Sequence, residues 1–314
     1  MVPDWDMNGS MVNPVPAQGQ GFSQQIDIFY AKNESIEYVK SKNAALLLPN
    51  LILKPNDVLV SSKVGQYPNG RGTNFLESIS ALTVLPSVPA EGSFRPSIYG
   101  TDRTIRWNIN QINWDVLKNL PAVSGTPNSS LIYSSMPNLP WIEWTDSWIG
   151  GNMMPVDNTS DGLFYNNPVG QNSSYGREIA YKFGAVALWL NTDQNINDKK
   201  AIAIRMIQNG IDIYEYLKYP GAGFYHDGGH KAGRKLPVVI AAAMLNDANI
   251  KTLASNPDRF QEDTQTFFVT QADVGRELGC YKYKDGVRTY CRQQYIQSDV
   301  GMAEWGIRHR FEPY

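Results

Sequence analysis

The chain has 314 residues, with 28 Lys and Arg against 30 Asp and Glu and a formal net charge of -2. That balance excludes a generally basic nucleic-acid binder, whose affinity rests on neutralising phosphates, and 42% hydrophobic residues with 11% aromatics exclude a disordered chain. Charged residues are only 18%, where about 25% is usual; 26 asparagines supply much of the polar composition instead.

The start, MVPDWDMNGSMVNP, has neither the basic nor the apolar stretch of a signal peptide. No apolar run approaches the ~18 residues of a membrane span. Residues 1–174 hold 15 of the 19 prolines, and a proline costs about 3 kcal/mol inside a helix, so this half is not mostly helical. It reads as short strands between long loops. Strands are predicted at residues 25–30 (QIDIFY), 45–53, 58–63 (VLVSSK), 79–85 (ISALTVL) and 104–108 (TIRWN), each flanked by Pro, Asn or Gly. Lys54-Pro55-Asn56-Asp57 is a turn between two of them. Period-two alternation in QIDIFY and VLVSS buries one face of each, so an antiparallel β-sandwich is expected. Residues 121–168 read as loop; Trp141, Trp144 and Trp148 in it have the i, i+3, i+7 spacing of a helical stripe.

A boundary falls at residues 171–175, which divides the chain into a Pro-rich β and loop domain, 1–174, and a helical-hairpin domain, 175–314, ending in a β-hairpin and tail. The first part has 10 basic and 14 acidic residues, the second 18 and 16. Residues 175–191 carry Ile179, Phe183, Val186, Ala187 and Leu190 at helical spacing. Residues 195–219 align Ile202, Met206, Ile207, Ile211, Ile213 and Leu217, and Pro220-Gly221 stop the helix. The link at 192–196 is short enough for an αα-hairpin. A third helix is predicted over 236–247, with Pro237 tolerated in its first turn. Residues 264–270 (TQTFFVT) read as a strand. In 280–291 (CYKYKDGVRTYC), Asp285-Gly286 is a two-residue hairpin turn, which pairs Lys284 with Val287, Tyr283 with Arg288, Tyr281 with Tyr290 and Cys280 with Cys291. The tail at 301–314 carries Glu304, Trp305, Arg308, His309 and Arg310 and reads as an ordered segment packed on the core. The expected class is α+β: an N-terminal antiparallel β-sandwich-like part, a helical-hairpin part and a C-terminal β-hairpin.

Directly opposed strand residues lie about 4.5–5.5 Å apart at Cα, within disulfide range, so the hairpin register favours a Cys280–Cys291 disulfide over two thiols. That pairing suits an oxidising, extracellular or cell- or virion-surface setting. Asn-X-Ser/Thr sequons at Asn8, Asn33, Asn128, Asn158 and Asn172 are compatible with it, although an Asn-rich chain also generates them by chance.

Chemistry concentrates in residues 219–237, YPGAGFYHDGGHKAGRKLP. Two of the three histidines, five glycines, Tyr225, Asp227, Lys231, Arg234 and Lys235 lie there, between two apolar helices. His226 and His230 are four apart, but HDGGH lacks the Glu of HExxH and two glycines oppose a helix, so no metal is assigned. GHKAGRK is not a GxxxxGK[ST] phosphate loop, and no cofactor is assigned. Tyr225, His226 and His230 have the chemistry to move protons, and Lys231, Arg234 and Lys235 to bind carboxylates. Together these suit β-elimination of a uronic-acid polysaccharide: a base takes the C5 proton, cations stabilise the enolate-like intermediate, and an acid protonates the leaving oxygen. The structural alternative makes Arg234 and Lys235 anchors of the loop on the carbonyls of the preceding helix, which favour cations, and His226 a hydrogen-bonded core residue. Asp212 with Glu215, and Glu262 with Asp263, are carboxylate pairs with the residue types for glycoside hydrolysis; most such pairs are solvated. No GxSxG nucleophile elbow occurs.

A β-rich part joined to αα-hairpins with the loop YHDGGHKAGRK resembles the helical-toroid polysaccharide lyases of the heparinase and alginate-lyase type, over about residues 175–260. The resemblance implies an extracellular carbohydrate-active protein, a lyase on acidic glycans, with an acidic or neutral glycan as partner. The chain departs from that pattern in having few helices and β structure on both sides of them. The alternative is a non-enzymatic, self-associating subunit of a virion, appendage or extracellular filament, to which low charge, abundant Asn and Gly and long Pro-rich loops are suited.

Overall fold

The structure, a computed structural model, describes residues 9–13, 51–66, 74–98, 102–135, 176–219, 222–224, 232–275, 277–284 and 287–305. Three strands lie in the N-terminal half: β1 (Gly9–Val12), β2 (Val58–Gln66) and β3 (Asn74–Thr83). They form one antiparallel sheet in the order β1-β2-β3, with a register irregularity between Lys63 and Val64. Six helices follow: α1 (Ser129–Ser135), α2 (Gly176–Leu190), α3 (Ile196–Leu217), α4 (Lys235–Leu245), α5 (Ala248–Ala254) and α6 (Gln261–Gln265). The chain then returns to β4 (Thr266–Phe268), β5 (Glu277–Lys284), β6 (Val287–Gln294) and β7 (Ala303–Trp305). β4 pairs with β7, and β5 with β6.

The expected β-sandwich is corrected. Among the described residues no second sheet faces β1-β2-β3. Of the predicted strands, 58–63 and 79–85 fall on β2 and β3, while 51–53 and 104–108 are irregular apart from a Ser93–Asn108 bridge. The stretches 25–30 and 45–50 lie outside the described residues. The cover for this half is helical: Val58, Phe94, Ile98, Ile112 and Ile132 are buried in one core with the apolar faces of α2, α3 and α4. Prolines 86, 89 and 96 deny residues 84–98 the amide donors a second ladder needs. Val58 of β2 is buried in this core, and Ala81 of β3 packs against it. Residues from both sides of the expected 174/175 boundary share this core.

The Lys54–Asp57 turn forms, with Asp57 N–H donating to the Lys54 carbonyl at 3.0 Å and Asn56 at φ 76. Asn tolerates that left-handed conformation. The turn leads from an irregular segment into β2 rather than joining two strands.

α3 is the centre of the molecule. The Asn195 side chain caps its start by accepting from Asn197 N–H at 2.8 Å. Gly210 lets α4 approach closely: a Cβ there would sit 2.3 Å from the Pro237 carbonyl oxygen and 2.7 Å from Ala241 Cβ. α4 is apolar around most of its circumference, with Val239 and Ala243 exposed and the rest turned to the core or half-buried, and carries Pro237 in its first turn, where the missing donor costs nothing. It ends at Asn246, left-handed at φ 51. Asp247 then caps α5, accepting from Asn249 and Ile250 N–H, and its second oxygen accepts from the Trp107 indole at 3.0 Å.

Asparagine holds the irregular segments to this framework. Asn13 accepts from Val58 N–H, Asn108 donates to the Glu91 carbonyl, and Asn191 accepts from Lys118 N–H while donating to the Ala187 carbonyl. Asn128 caps α1. The other sequon residues, and Trp141, Trp144 and Trp148, lie outside the described residues. Among the described residues no helix is long and apolar enough to cross a membrane.

Candidate functional site

The chemistry-bearing segment leaves α3 and returns at α4. Of the residues singled out in it, Tyr225, His226, Asp227, His230 and Lys231 lie outside the described residues; Arg234 and Lys235 are described, as are both stems, 222–224 and 232–235. One short stretch, residues 259–263, holds both stems. On the incoming side, Phe224 N–H donates to the Arg259 carbonyl at 2.8 Å, and the Arg259 guanidinium donates to the Ala222 carbonyl at 2.5 Å. On the outgoing side, Gly233 N–H donates to Glu262 Oε1 at 2.6 Å, and Lys235 Nζ pairs with Asp263 at 2.5 Å.

Aromatic rings fill the space between the stems. Phe224 lies near-parallel to Phe260 at 6.3 Å between centroids and tilts against Tyr216 of α3 at 5.4 Å. The guanidinium of Arg234 lies 5.9 Å from the Phe224 ring, and Lys235 Nζ 5.9 Å from the Phe260 ring, within cation–π range. Arg234 is 0% exposed and donates to the Ala232 carbonyl at 2.6 Å. Burial pulls its pKa down to about 9, with Glu262 opposing the shift. Burial likewise pushes the Glu262 carboxyl up, against hydrogen bonds from backbone amides and the charge of Arg234. Gly233, at φ 93, seats the outgoing stem on α2: a Cβ would meet Ala180 N at 2.4 Å. No other residue type combines that torsion with that approach.

Arg234 and Lys235 are therefore committed to internal partners at the base of the loop, among them the Ala232 carbonyl and two carboxylates. Glu262 and Asp263, read from sequence as a hydrolytic pair, are those partners. The other carboxylate pair is also engaged. Asp212, 0% exposed, accepts both guanidinium branches of Arg95, one at 2.8 Å. Burial pushes its carboxyl up and Arg95 opposes that. Gln208, one turn earlier, exchanges hydrogen bonds with the Arg95 backbone N–H and carbonyl at 3.1 and 3.2 Å. Glu215 pairs with Lys218 at 2.6 Å and Arg106 at 3.5 Å, and Arg106 also pairs with Asp102. Hydrogen bonds from Thr104, then Arg106, hold Asp102 at about 2. Arg95, Asp102, Arg106 and Glu215 line a small depression with Phe94, Ser97 and Trp107. Neither carboxylate pair has the open, unpaired geometry that flanks a glycosidic bond. Among the described residues no three His, Cys, Asp or Glu converge on a metal position.

Arg95, Arg106 and Arg259 carry no local sequence signal. Their partners on α3 and at 222 are distant in the chain, so only the fold brings them together. In the hairpin, Cys280 stands opposite Cys291 as the turn predicts; the bond itself concerns side chains outside the described ones. Of the tail cluster, residues 303–305 form β7 on β4, with Trp305 opposite Thr266, and 306–314 lie outside the described residues. Comparison of the chain with protein-family models, curated proteins and solved structures finds no match.

Proposed function

We propose that the protein is an extracellular carbohydrate-active protein that acts on acidic polysaccharides as a lyase, with its reacting groups on residues 225–231. The observation that carries this reading is the double anchoring of that loop. A stretch of five residues holds both stems through two backbone hydrogen bonds, one charged pair and a guanidinium contact. Reactive groups need a fixed base, because a small misplacement costs large factors in rate. In this mechanism one of Tyr225 and His230 takes the C5 proton and the other protonates the leaving oxygen, His226 is a further proton-carrying candidate, and Lys231 neutralises the uronate carboxylate. Arg234 and Lys235 act as positioning residues that fix the end of the loop.

The test is incubation with a panel of acidic glycans, followed by the ultraviolet absorbance of unsaturated uronate. Absorbance that rises for at least one glycan, and is abolished in Tyr225→Phe or His230→Gln while glycan binding persists, supports the assignment. A flat trace across the panel, with the protein assembling into large particles by size-exclusion chromatography, moves the assignment to a structural subunit.

A further inference from the structure

Arg95 and Arg106 are only partly used by the carboxylates that hold them. A guanidinium offers five N–H donors in a fixed, planar fork geometry. Asp212 takes the end of the Arg95 group, with one oxygen on Nη1 and the other on Nη2, and Nη1 also reaches the Pro96 carbonyl at 3.4 Å. The side of the group, Nε–H with the second N–H of Nη2, has no hydrogen-bond partner among the described residues. Arg106 gives Nη1 to Glu215 and Nη2 to Asp102, and its Nε–H has no such partner either. The two arginine side chains are 35% and 36% exposed, so both reach solvent.

Their carboxylate partners hold these donors in place. Asp212 is fully buried on α3, and Glu215, three residues on and 6% exposed, lies on the same side of the helix. Gln208, one turn before Asp212, bonds the Arg95 backbone. An incoming anion therefore meets guanidinium groups that are already ordered, which removes much of the entropic cost of binding.

Arg95 and Arg106 line one depression with Pro96, Asp102, Trp107 and Glu215. It holds about 10 Å³, room for one group the size of a water molecule. The Trp107 ring is fixed by its indole bond to Asp247 at 3.0 Å and by edge contact with Tyr214 at 6.4 Å. These dimensions and charges select the occupant. A planar carboxylate matches the open side of a guanidinium, and a depression of this size takes one such group while the carbon body rests on Trp107. Asp102 and Glu215 stand beside the guanidiniums, so a second negative charge, as on phosphate or along a polyanion, would face like charge.

We propose that the depression between Arg95 and Arg106 is a binding site for a small molecule that presents a single carboxylate. The site uses no residue of 225–231 and is independent of the function proposed above.

The experiment measures binding to the full chain by ligand-observed NMR. Galacturonate and benzoate are the probes, a sugar acid and an aromatic acid, with galactose and benzyl alcohol as their neutral counterparts and inorganic phosphate as the competing anion. At least one acid should bind about tenfold more tightly than its neutral counterpart, and the acid preferred tells whether the body on Trp107 is a sugar or an aromatic ring. Arg106→Gln should weaken that binding about tenfold; Glu215 keeps Lys218 in this variant. Arg95→Lys leaves Asp212 a charged partner but has no planar fork, and should weaken binding similarly. Arg205→Gln, which removes a guanidinium lying over Tyr133 and outside the depression, should leave binding unchanged. Should Arg95→Lys lower the unfolding midpoint, Arg106→Gln decides. Acids that bind no more tightly than their neutral counterparts overturn the proposal, as does phosphate binding as tightly as the preferred acid. An Arg106→Gln protein that binds like the parent, or an equal loss in Arg205→Gln, overturns it too.

Discussion

Asp212 is a carboxylate with no access to solvent, and the Arg95 guanidinium answers it from 117 positions away in the chain. Removing one partner of such a pair costs more than the pair contributes, because the other charge stays buried. Arg95→Ala should therefore destabilise the protein by about 3 kcal/mol, read as a lower urea midpoint at unchanged slope. Arg95→Lys should recover only part of that, since an ammonium cannot reproduce the two-branched contact. Asp102 behaves differently because it is partly solvated, with a side chain 43% exposed. Its pKa is depressed from 3.8 to about 2, so its stabilisation is present above the unfolded value and is lost as pH falls through the folded one. Asp102→Asn should cost no more than about 1 kcal/mol at neutral pH, and the difference from the parent should vanish near pH 2 in acid titrations of unfolding. Glu262 has the opposite sign. Its pKa is raised from 4.5, so its contribution is present below that value and declines as pH rises through the folded one. None of these partnerships was legible in the sequence. Asp212 and Glu215 stood out as two carboxylates on one helix, but nothing local to them names Arg95 or Arg106.

At the scale of elements, legibility followed how local the determining signal was. The register of β5 and β6 came out residue for residue because an Asp-Gly turn fixes it within four positions. The apolar period and Pro220 located α3 to within about two residues at each end, and the structure adds the Asn195 cap at its start. α1, α5 and α6 were not foreseen, because seven, seven and five residues are too few to show a period; α1 corrects the reading of 121–168 as loop. The N-terminal sandwich failed for another reason: alternation says that a strand has one covered face and is silent about the cover. The α3–α4 contact is the element-level feature most exposed to a single change. Gly210→Ala gains helix propensity, worth about 1 kcal/mol on an open helix, yet drives a methyl into the Pro237 carbonyl. Net destabilisation of about 2 kcal/mol is expected from overpacking, whereas Gly184→Ala on α2, with open space around it, should raise the unfolding midpoint. Equal shifts of the same sign in both variants would show that α4 does not press on α3 at this point.

The described residues form a helical core with largely irregular segments, 84–98 and 102–128, packed on it. Proline removes backbone donors from those segments, and the side chains of Asn108, Asn113 and Asn191 bind backbone groups there. Such amides bind backbone locally without the desolvation cost of ions. Because Val58, Phe94, Ile98 and Ile112 share a core with α2, α3 and α4, residues 175–314 expressed alone should lack a cooperative unfolding transition. A sharp two-state urea curve for that fragment, superimposable on that of the full chain, would mean the second half owns its core.

The anchoring of both stems by residues 259–263 also bears on how such a chain can change over time. The clamp draws none of its bonds described above from the residues between Phe224 and Ala232. Doubling the length of a loop adds only about 0.6 kcal/mol of closure entropy. The clamp itself therefore sets neither the length nor the sequence of the seven positions from 225 to 231. The molecule keeps one interchangeable part, and relatives with the same helices and clamp could differ there in the chemistry they perform.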